Sequence, residues 1–488
     1  MAESNPRIRM MKKDFRFGWG ILTAKLGHHT LILRMALSII IIGAGASGLM
    51  AARRLSSAGF VVTVLEAGSS PGGRIFSLPA SGGVPPSGSV PASGSKWAGL
   101  STAGAPGFSA VVEGGAEFIH GELPLSLQLA KEAGVVLDPV RGDMIRLQRG
   151  KSLTDSGDHE FMGKDWDELM EKMEQLEDDV PIADFMARNF SGDRYSALKD
   201  SVRRFAEGYD LADVHRVSTK ALYNEWAREG EEEEYRLEGG YRRLIDFLMA
   251  ECQKQGCTFH FQLAVERVNW SPGSVEVVGS KGEVISADRL IVTASLGVLQ
   301  ADPELLGFFP AIPVYREAIR QMGYGSVIKI LAEFKRPFWK EKKPSGKTLF
   351  IISEEAIPTW WTQPDDSDCL LTGWLAGGNM VAFQQLGEEE RAESCFQSLG
   401  AIFSMDKEVI RQELAVLQIW DWSTRRWVRG GYSFDTVETG KARKQLLQPV
   451  EGTIWFAGEA LYEGIAPGTV EAALTSGQEV AEKIIAQS

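Results

Sequence analysis

Cysteine is scarce in this sequence, which has four cysteines among its 488 residues: Cys252, Cys257, Cys369 and Cys395. They form no CxxC pair and are too few for a disulfide framework or a zinc site, so we expect them to be packing residues and expect no metal. Long apolar runs are also missing, because no stretch approaches the ~18 to 20 unbroken apolar residues of a membrane span. We therefore expect a soluble, cytoplasmic protein with no membrane partner.

Basic residues are outnumbered, with 52 Lys and Arg against 65 Asp and Glu and a formal net charge of -13. Residues 1–34 hold seven Lys and Arg against two Asp and Glu, so the remainder carries -18. An acidic body argues against a nucleic-acid partner and is compatible with cationic substrates. Residues 1–34 lack the features of a secretory signal, so we expect a disordered extension or an upstream start, with a targeting peptide as the alternative.

A strand followed by a glycine motif begins at Ser38. Residues Ser38–Ile42 are apolar and β-branched, as in a buried parallel strand, and Gly43, Gly45 and Gly48 follow in the pattern GxGxxG. The first glycine permits a tight turn, the second lets a pyrophosphate approach the backbone, and the third lets the next helix lie close to the sheet. The motif alone is also compatible with an ordinary glycine-rich turn.

The residues after the glycines strengthen the prediction of a dinucleotide site. A helix over residues 46–58 would present unpaired amides to a pyrophosphate. A second strand over residues 60–65 ends at Glu66, about twenty residues on, where a carboxylate can accept hydrogen bonds from ribose hydroxyls. Besides the glycines, the residues expected to contact the dinucleotide here are Ala46, Ser47, Glu66 and Ala67.

The stretch Pro71–Arg74 adds Gly72 and Gly73, which suggest backbone packed close to a ligand, and Arg74, a cation near the pyrophosphate. This continuation resembles the extended dinucleotide signature of the FAD-dependent amine oxidases. A later segment is similar to a second motif of that family, and the resemblance would place Gly115 and Ala116 against the cofactor. His120 would then lie at the substrate channel or serve as a structural hydrogen-bonding residue.

Lys329 interrupts an apolar strand predicted over residues 323–334. A buried lysine needs a partner, a water or a shifted pKa, whereas an edge-strand lysine can reach solvent, and periodicity alone does not decide between these. Amine oxidases carry a lysine on a similar strand, followed by a Phe-Trp pair that is here Phe338-Trp339. The resemblance implies that Lys329 holds a water near the flavin N5.

The resemblance extends to the C-terminal part of the chain. In the segment WSTRRWVRGGY it implies that Trp422 contacts the flavin and that Trp427 and Tyr432 lie at the substrate, although aromatic clusters are also common in cores. The other residues it implies for the cofactor are Val265 at the adenine, Gly458, Glu459, Thr469 and Val470. The helix beginning near Thr469 would stabilise negative charge on the flavin, and Thr469 would also face the substrate.

The resemblance implies an α/β protein with the amine oxidase fold: a doubly wound, Rossmann-like FAD-binding domain plus a mixed-sheet α+β substrate domain. We expect the FAD-binding domain to be discontinuous, over residues 35–120, 237–310 and 444–488, with a low-complexity insertion at 77–108. The substrate domain would comprise residues 121–236 and 311–443. Residues 125–226 are expected to be helical, and residues 258–265 to form a strand.

The resemblance also implies the chemistry: transfer of hydride from the carbon next to an amine nitrogen to FAD, with dioxygen as acceptor and hydrogen peroxide as product.

Gly431 stands where monoamine oxidases have the cysteine that bonds the flavin, so FAD is expected to be non-covalent. The resemblance makes Tyr432 one wall of an aromatic cage over the flavin ring, and the second aromatic wall is missing because the residue at its position is Thr469. We expect a small-molecule amine, with a di- or polyamine favoured and a monoamine as the alternative. An L-amino acid oxidase, a desaturase-like flavoprotein and a non-catalytic flavin-binding docking protein remain alternatives, and the sequence leaves the oligomeric state open.

Overall fold

Five parallel strands form the sheet that carries the glycine motif. The structure, a computed structural model, describes residues 21–26, 29–34, 36–80, 107–148, 151–153, 158–228, 233–301, 304–342, 348–363 and 369–488. The strands run in the order Thr258–His260, Val61–Leu65, Ser38–Ile42, Arg289–Val292 and Ile454–Phe456, each parallel to its neighbours. The predicted strand before the glycines therefore lies at the centre of this sheet.

Both faces of the parallel sheet are covered, which explains why its central strand is apolar throughout. Ile39 and Ile41 pack on one side, and the helices there are Ala46–Ser57, Arg242–Lys254 and Val470–Ala486. Ile40 and Ile42 pack on the other side. That side is covered by helices Pro313–Gln321 and Thr439–Leu446 and by a four-stranded sheet in the order Val284–Ala287, Ser274–Gly279, Val265–Ser271 and Gly307–Phe309.

One strand prediction in this region is wrong. Residues 258–265 do not form a single strand, because the first strand ends at His260 and Val265 begins another strand in the four-stranded sheet. Gln262 between them has a φ of 55°, and such a left-handed backbone cannot continue a strand. The parallel sheet nevertheless draws strands from three distant parts of the chain, as a discontinuous domain requires. The predicted domain boundaries stay a prediction.

A second, mixed sheet contains seven strands. Their order is Lys151–Leu153, Asp143–Gln148, Thr348–Ile352, Thr359–Thr362, Leu370–Ala376, Val327–Phe334 and Leu414–Asp421. The second and third strands are parallel, and the other described pairs are antiparallel. Val327–Phe334 has a partner on each side, and all eight of its residues are buried. The edge-strand interpretation of Lys329 is therefore wrong.

Helices predominate between residues 124 and 226, but three strands interrupt them. The helices are Pro124–Glu132, Asp158–Glu174, Ile182–Asn189, Ser196–Gly208 and Thr219–Trp226. The strands are Leu137–Pro139, Asp143–Gln148 and Lys151–Leu153, so the prediction of helix throughout residues 125–226 is wrong. The physical reason is tertiary: Asp143–Gln148 pairs with Thr348–Ile352 and extends the seven-stranded sheet.

The remaining elements connect these layers. The other helices described are Leu296–Leu299, Gly377–Gln384, Glu388–Phe403 and Lys407–Glu413, with 3-10 turns at Asp193–Tyr195, Phe338–Lys342, Trp422–Thr424 and Glu459–Leu461. Short strands are Ser77–Leu78, Val112–Glu113, Ile119–His120, Glu234–Leu237, Gly323–Tyr324 and Ser433–Phe434. Ser77–Leu78 pairs with Val112–Glu113, so the predicted insertion does not begin at residue 77, and residues 81–106 of it lie outside the described residues. The predicted combination of a doubly wound sheet and a second mixed sheet is confirmed.

The segment before Ser38 is a separate unit. Ile21–Leu26 and His29–Arg34 pair as an antiparallel hairpin, so the prediction of a disordered extension does not hold for these two segments. The reason is visible in the sequence, where two runs rich in apolar and β-branched residues are separated by only two residues. Residues 1–20 of that prediction lie outside the described residues.

Cys252, Cys257 and Cys395 are free, buried thiols. Cys252 and Cys257 pack in the core against the helix that follows the glycine motif, and Cys395 is buried beside the seven-stranded sheet. The prediction that the cysteines serve in packing is confirmed for these three.

Candidate functional site

The glycine loop at the start of helix Ala46–Ser57 leaves room for a ligand. Gly45 pairs with Gly72, whose N–H donates to the carbonyl of Ala44 at 2.9 Å, so two glycine-containing turns lie against each other. A Cβ added to Gly45 would meet no described atom within 4 Å. The Ser47 hydroxyl is buried without a partner among the described residues, and no side chain there caps the helix. Such open donors suit a phosphate, so these residues fit the pyrophosphate of a dinucleotide.

The other glycines of this region are required by the protein's own packing. A Cβ on Gly48 would lie 2.0 Å from the carbonyl oxygen of Gly43, and Gly43 itself has a φ of 106°. Gly73 also has a positive φ and packs on the Cα of Gly45. The motif therefore combines glycines that the fold needs with one, Gly45, that faces open space.

Glu66 follows the second strand of the parallel sheet and lies beside the glycine loop. Its carboxylate accepts hydrogen bonds from the backbone N–H of Ala44 at 2.8 Å and of Gly68 at 2.7 Å, so the turn through Ala67 is closed by Glu66. Burial raises the pKa of Glu66, and these two hydrogen bonds only partly offset the rise. Each carboxylate oxygen keeps a second acceptor position that a ribose hydroxyl can use.

Val265 lies near Glu66 because the chain just before it contacts Glu66. Leu263, two residues earlier, donates its N–H to the Glu66 carbonyl at 3.0 Å, and Val265 is buried at the start of its strand. The residue predicted for the adenine contact and the one predicted for the ribose are therefore neighbours in space.

Arg74 and Glu459 form an ion pair at 2.8 Å. Arg74 also donates to the carbonyl of Gly431 at 2.8 Å, and the second oxygen of Glu459 accepts from the Ser433 hydroxyl at 2.6 Å. Burial lowers the pKa of Arg74, but Tyr324 and Glu459 reverse this and raise it above its usual range. A cofactor at this place would meet the neutralised ion pair of Arg74 and Glu459.

The residues Gly114 and Gly115 connect the two sheets. Trp422 donates its indole N–H to the carbonyl of Gly114 at 3.0 Å, and Lys329 donates from Nζ to the carbonyl of Gly115 at 3.0 Å. A Cβ on Gly115 would lie 1.9 Å from the carbonyl oxygen of Arg74, which shows how closely the glycine packs on the segment after the dinucleotide motif. Ala116 donates its N–H to the same Arg74 oxygen at 3.1 Å.

Lys329 is 1% exposed and its ammonium lies 2.7 Å from Oε2 of Glu117. The opposite oxygen of Glu117 accepts from Trp361 Nε1 at 3.0 Å and from Arg236 at 3.1 Å. Arg236 lies over the ring of Phe118, 4.6 Å from its centroid. A buried lysine needs a compensating anion, and Glu117, which the sequence did not indicate, supplies it.

A row of aromatic rings leads away from this ion pair. Tyr432 and Trp374 stack with centroids 6.4 Å apart and planes 25° apart, Trp374 and Trp361 lie 6.1 Å apart, and Trp361 and Phe118 lie 5.8 Å apart. Strand pairing brings this about, because Trp374 lies directly opposite Lys329 on the neighbouring strand. A second ring beside Tyr432 therefore comes from Trp374, not from the region of Thr469.

Thr469 caps the last helix: its hydroxyl accepts from the N–H of Ala472 at 3.2 Å, and Val470 is the first helical residue. A Cβ on Gly468 would lie 3.1 Å from the Tyr432 ring, which places the helix start beside the tyrosine. Gly458, with a φ of 149°, donates its N–H to Ser476 of the same helix at 3.0 Å.

Acidic side chains lie at the hydroxyl end of Tyr432. Its hydroxyl donates to the carbonyl of Tyr209, and burial raises the pKa of Tyr432, with Tyr209, Asp210 and Glu225 adding to the rise. Asp210 accepts a hydrogen bond from Trp226 Nε1 at 3.2 Å, and its carboxyl interacts with that of Glu225. Burial raises the pKa of Glu225.

Two predicted substrate residues have different surroundings. His120 Nδ1 lies 2.7 Å from Oε1 of Glu234, the residue opposite it on the neighbouring strand. Trp427 lies under the guanidinium of Arg426 at 4.6 Å and is outside the apolar cluster, within the described residues, that joins Trp422 and Tyr432. The place of Trp427 at the substrate stays a prediction.

The structure brings most of the predicted residues together, but sequence reasoning missed several side chains at the site: Glu117, Asp210, Glu225, Arg236, Trp361 and Trp374. A weak signal existed for Glu117, because a charged residue two positions after Gly115 is unexpected in a buried segment. Within the described residues, no group of three or more His, Cys, Asp and Glu could hold a metal ion, and no helix could span a membrane.

Comparisons with known proteins agree with this geometry. The family described as flavin containing amine oxidoreductase matches residues 46–485. Lysine-specific histone demethylase 1B of Mus musculus is 26% identical over 494 residues, covering 96% of this chain and 55% of that protein. Polyamine oxidase 1 of Zea mays is 25% identical over 496 residues, covering 94% of this chain and 92% of that protein. The chain thus spans about half the length of the demethylase.

Solved structures share the fold. A putrescine oxidase bound to putrescine superposes with a TM-score of 0.71 at 21% identity, covering 93% of this chain and 99% of that chain. Cyclohexylamine oxidase from Brevibacterium oxydans gives a TM-score of 0.71 at 19% identity, with the same shares covered. At this identity the likeness concerns the arrangement of sheets and helices.

Proposed function

This chain belongs to the flavin-containing amine oxidoreductase family, and we propose that it is an FAD-dependent oxidase of di- or polyamines. The reaction would convert the amine to an imine, hydrolysed to an aldehyde, and reduce dioxygen to hydrogen peroxide. The observation that carries the proposal is the meeting of Lys329 and Trp422 on the carbonyls of Gly115 and Gly114, next to Arg74 of the dinucleotide motif.

The chain's own residues would bind FAD without a covalent bond. Gly45, Ser47 and the first turn of the following helix would hold the pyrophosphate, and Glu66 the ribose. Gly431 offers no side chain for a covalent link. The bound flavin would accept the hydride. The dinucleotide geometry supports FAD as the flavin, because the proposed pyrophosphate and ribose positions lie beside each other.

The protein's part in the chemistry would be to orient the amine and exclude water. The rings of Tyr432 and Trp374 offer flat faces that attract a cationic amine and then hold the neutral form by shape. Lys329 is fixed at Gly115 by its hydrogen bond to that carbonyl. From there its Nζ would hold a water or a proton for the reacting atoms.

The preference for two amino groups is supported by Asp210 and Glu225. Both carboxyl groups lie near the Tyr432 hydroxyl, where the second ammonium of a diamine would lie if the first were held between the aromatic rings. A monoamine would leave this polar pair without a ligand. Peroxide release should therefore be fastest with diamines such as putrescine and with spermidine or spermine.

A peroxide-release screen tests the proposal. The substrates would be putrescine, spermidine, spermine, N-acetylated polyamines, aromatic amines and amino acids, each with wild type and Asp210→Asn. We expect the variant to raise KM for diamines on the order of tenfold while leaving KM for benzylamine unchanged. Equal effects on both substrates would contradict the assignment of the second-amine position. FAD binding without any turnover would favour a flavin-binding docking protein instead.

An amino acid substrate is the second candidate, because Arg236 supplies the arginine that a carboxylate would need. Its Nη1 is buried and has no partner among the described residues, whereas its other nitrogens bind Glu117 and the Thr362 carbonyl. The pairing with Glu117 already neutralises much of the guanidinium charge, which makes this candidate weaker. In the same screen, faster turnover of amino acids than of the matching amines would favour it, and Arg236→Lys should then abolish that advantage.

A further inference from the structure

Glu117 is held in one position from several directions. It is 7% exposed, Oε2 accepts from Lys329, and Oε1 accepts from Trp361, Arg236 and Gln363, the last at 3.3 Å. The donors come from three separate strands and the residue after one of them. A carboxylate with this many donors has no freedom to rotate.

The ion pair is also unbalanced, because one carboxylate faces two cations. Burial raises the pKa of Glu117, but Lys329 and Arg236 more than reverse this and lower it to about 2. Glu113, another buried carboxyl that interacts with Lys329, has its pKa raised by burial to about 7, although Tyr241, Ser77 and Lys329 lower it. Glu117 is therefore the anion that offsets the charge of Lys329 at neutral pH.

The position of Lys329 Nζ follows from Glu117. An ammonium has three donors, and here Glu117 Oε2 and the Gly115 carbonyl take two of them. The direction of the third donor is then fixed. The ring of Trp361, with its centroid 5.3 Å from Nζ, limits movement on another side.

We propose that Glu117 is a positioning residue that acts through Lys329: its carboxylate keeps the ammonium charged and aimed from Gly115 toward the reaction centre. This inference rests on the proposed function for its catalytic consequence. The ion pair itself can be tested without turnover. Removing the carboxylate should therefore change two quantities that can be measured separately: the pH dependence of the protein's stability and the rate of the reaction.

The first test measures unfolding of the FAD-free protein for wild type, Glu117→Gln, Lys329→Met and the double variant. A buried ammonium without its anion favours the neutral amine, so folded Glu117→Gln should bind fewer protons than its unfolded chain. Its stability should then rise with pH between about pH 7 and 10, since stability rises wherever the unfolded state binds more protons. The double variant should lack this rise.

The second test measures amine-dependent reduction and oxygen-dependent reoxidation in the same four proteins. Glu117→Gln should slow the step that depends on Lys329 by about tenfold or more and change its pH profile, but should add nothing in the Lys329→Met background. Glu117→Asp should recover part of the rate. Glu333→Gln is the matched control. Glu333 is a buried glutamate on the strand that carries Lys329, but its carboxylate accepts from the N–H of Ser109 instead of from Lys329.

The outcomes separate the positioning role of Glu117 from the proposed oxidase function. A Glu117→Gln effect of the same size with and without Lys329, in rate or in the pH dependence of unfolding, would overturn the positioning role. If wild type oxidises no amine, the proposed function fails, while the unfolding measurements still decide whether Glu117 and Lys329 are coupled.

Discussion

Trp422 and Lys329 donate hydrogen bonds to consecutive carbonyl oxygens, those of Gly114 and Gly115, at 3.0 Å each. The two side chains come from different elements, a 3-10 turn and a central strand. A single backbone segment therefore fixes an indole and an ammonium next to each other. Because the same segment packs on the Arg74 carbonyl, it also joins them to the dinucleotide motif.

Lys329→Met should slow flavin reduction or reoxidation by about 100-fold, the usual scale for a positioned acid or base. The protein should stay yellow, because the residues proposed to hold FAD are elsewhere. Stopped-flow absorbance under anaerobic and then aerobic conditions measures both steps. Lys335→Met, which changes an exposed lysine just beyond the same strand, is the control. Rates equal to those of wild type would remove Lys329 from the mechanism.

Gly45→Ala and Gly48→Ala should fail in different ways. A Cβ at Gly45 meets open space, so the FAD-free protein should unfold at the same midpoint while its Kd for FAD rises at least about tenfold, since the pyrophosphate can no longer approach. A Cβ at Gly48 would lie 2.0 Å from the Gly43 oxygen, so that variant should lose stability even without FAD.

Thermal unfolding and FAD titration of both glycine variants check this contrast. Gly440→Ala, in an exposed helix position where an added Cβ also meets no described atom, controls for the substitution itself. Unchanged FAD affinity in Gly45→Ala would contradict the proposed pyrophosphate position.

The affinity for diamines should depend on the charge of Glu225. Burial raises its pKa, so the carboxyl becomes neutral at a higher pH than an ordinary glutamate does and loses its attraction for an ammonium as pH falls. KM for putrescine should rise at acidic pH more steeply than KM for benzylamine. Glu225→Gln should remove the difference between the two pH profiles, and a difference that persists in the variant would rule out Glu225 as its source.

Glu113→Gln should alter the pH dependence of stability. The pKa of Glu113 is raised to about 7 by burial, against the hydrogen bonds from Tyr241 and Ser77. A carboxyl whose pKa is higher in the folded than in the unfolded protein contributes stability at pH values below its unfolded-state pKa. That contribution is lost as pH rises through about 7. The variant should therefore match wild type near pH 4 and exceed it at pH 8, by on the order of 1 to 3 kcal/mol.

Chemical denaturation at several pH values measures this, with the exposed Glu238→Gln as control. A variant that is no more stable than wild type at alkaline pH would show that Glu113 does not ionise in the folded protein.

Local features of the chain were readable from the sequence because they arise from short-range rules. The strand before Gly43 and the helix that follows it appear where the apolar run and the glycine spacing place them. The error at residues 143–148 has the opposite origin, since that strand exists because it pairs with residues 348–352.

The sequence by itself determined the dinucleotide motif, because glycine spacing is a local property, and its resemblance to the amine oxidases implied the two-sheet α/β class and the candidates Lys329, Trp422 and Tyr432. Only the tertiary structure decided that Lys329 is paired with Glu117, that Trp374 stands beside Tyr432, and that Asp210 and Glu225 lie near the same hydroxyl. These contacts join residues far apart in the chain, and the register between strands, not the order of residues, fixes them.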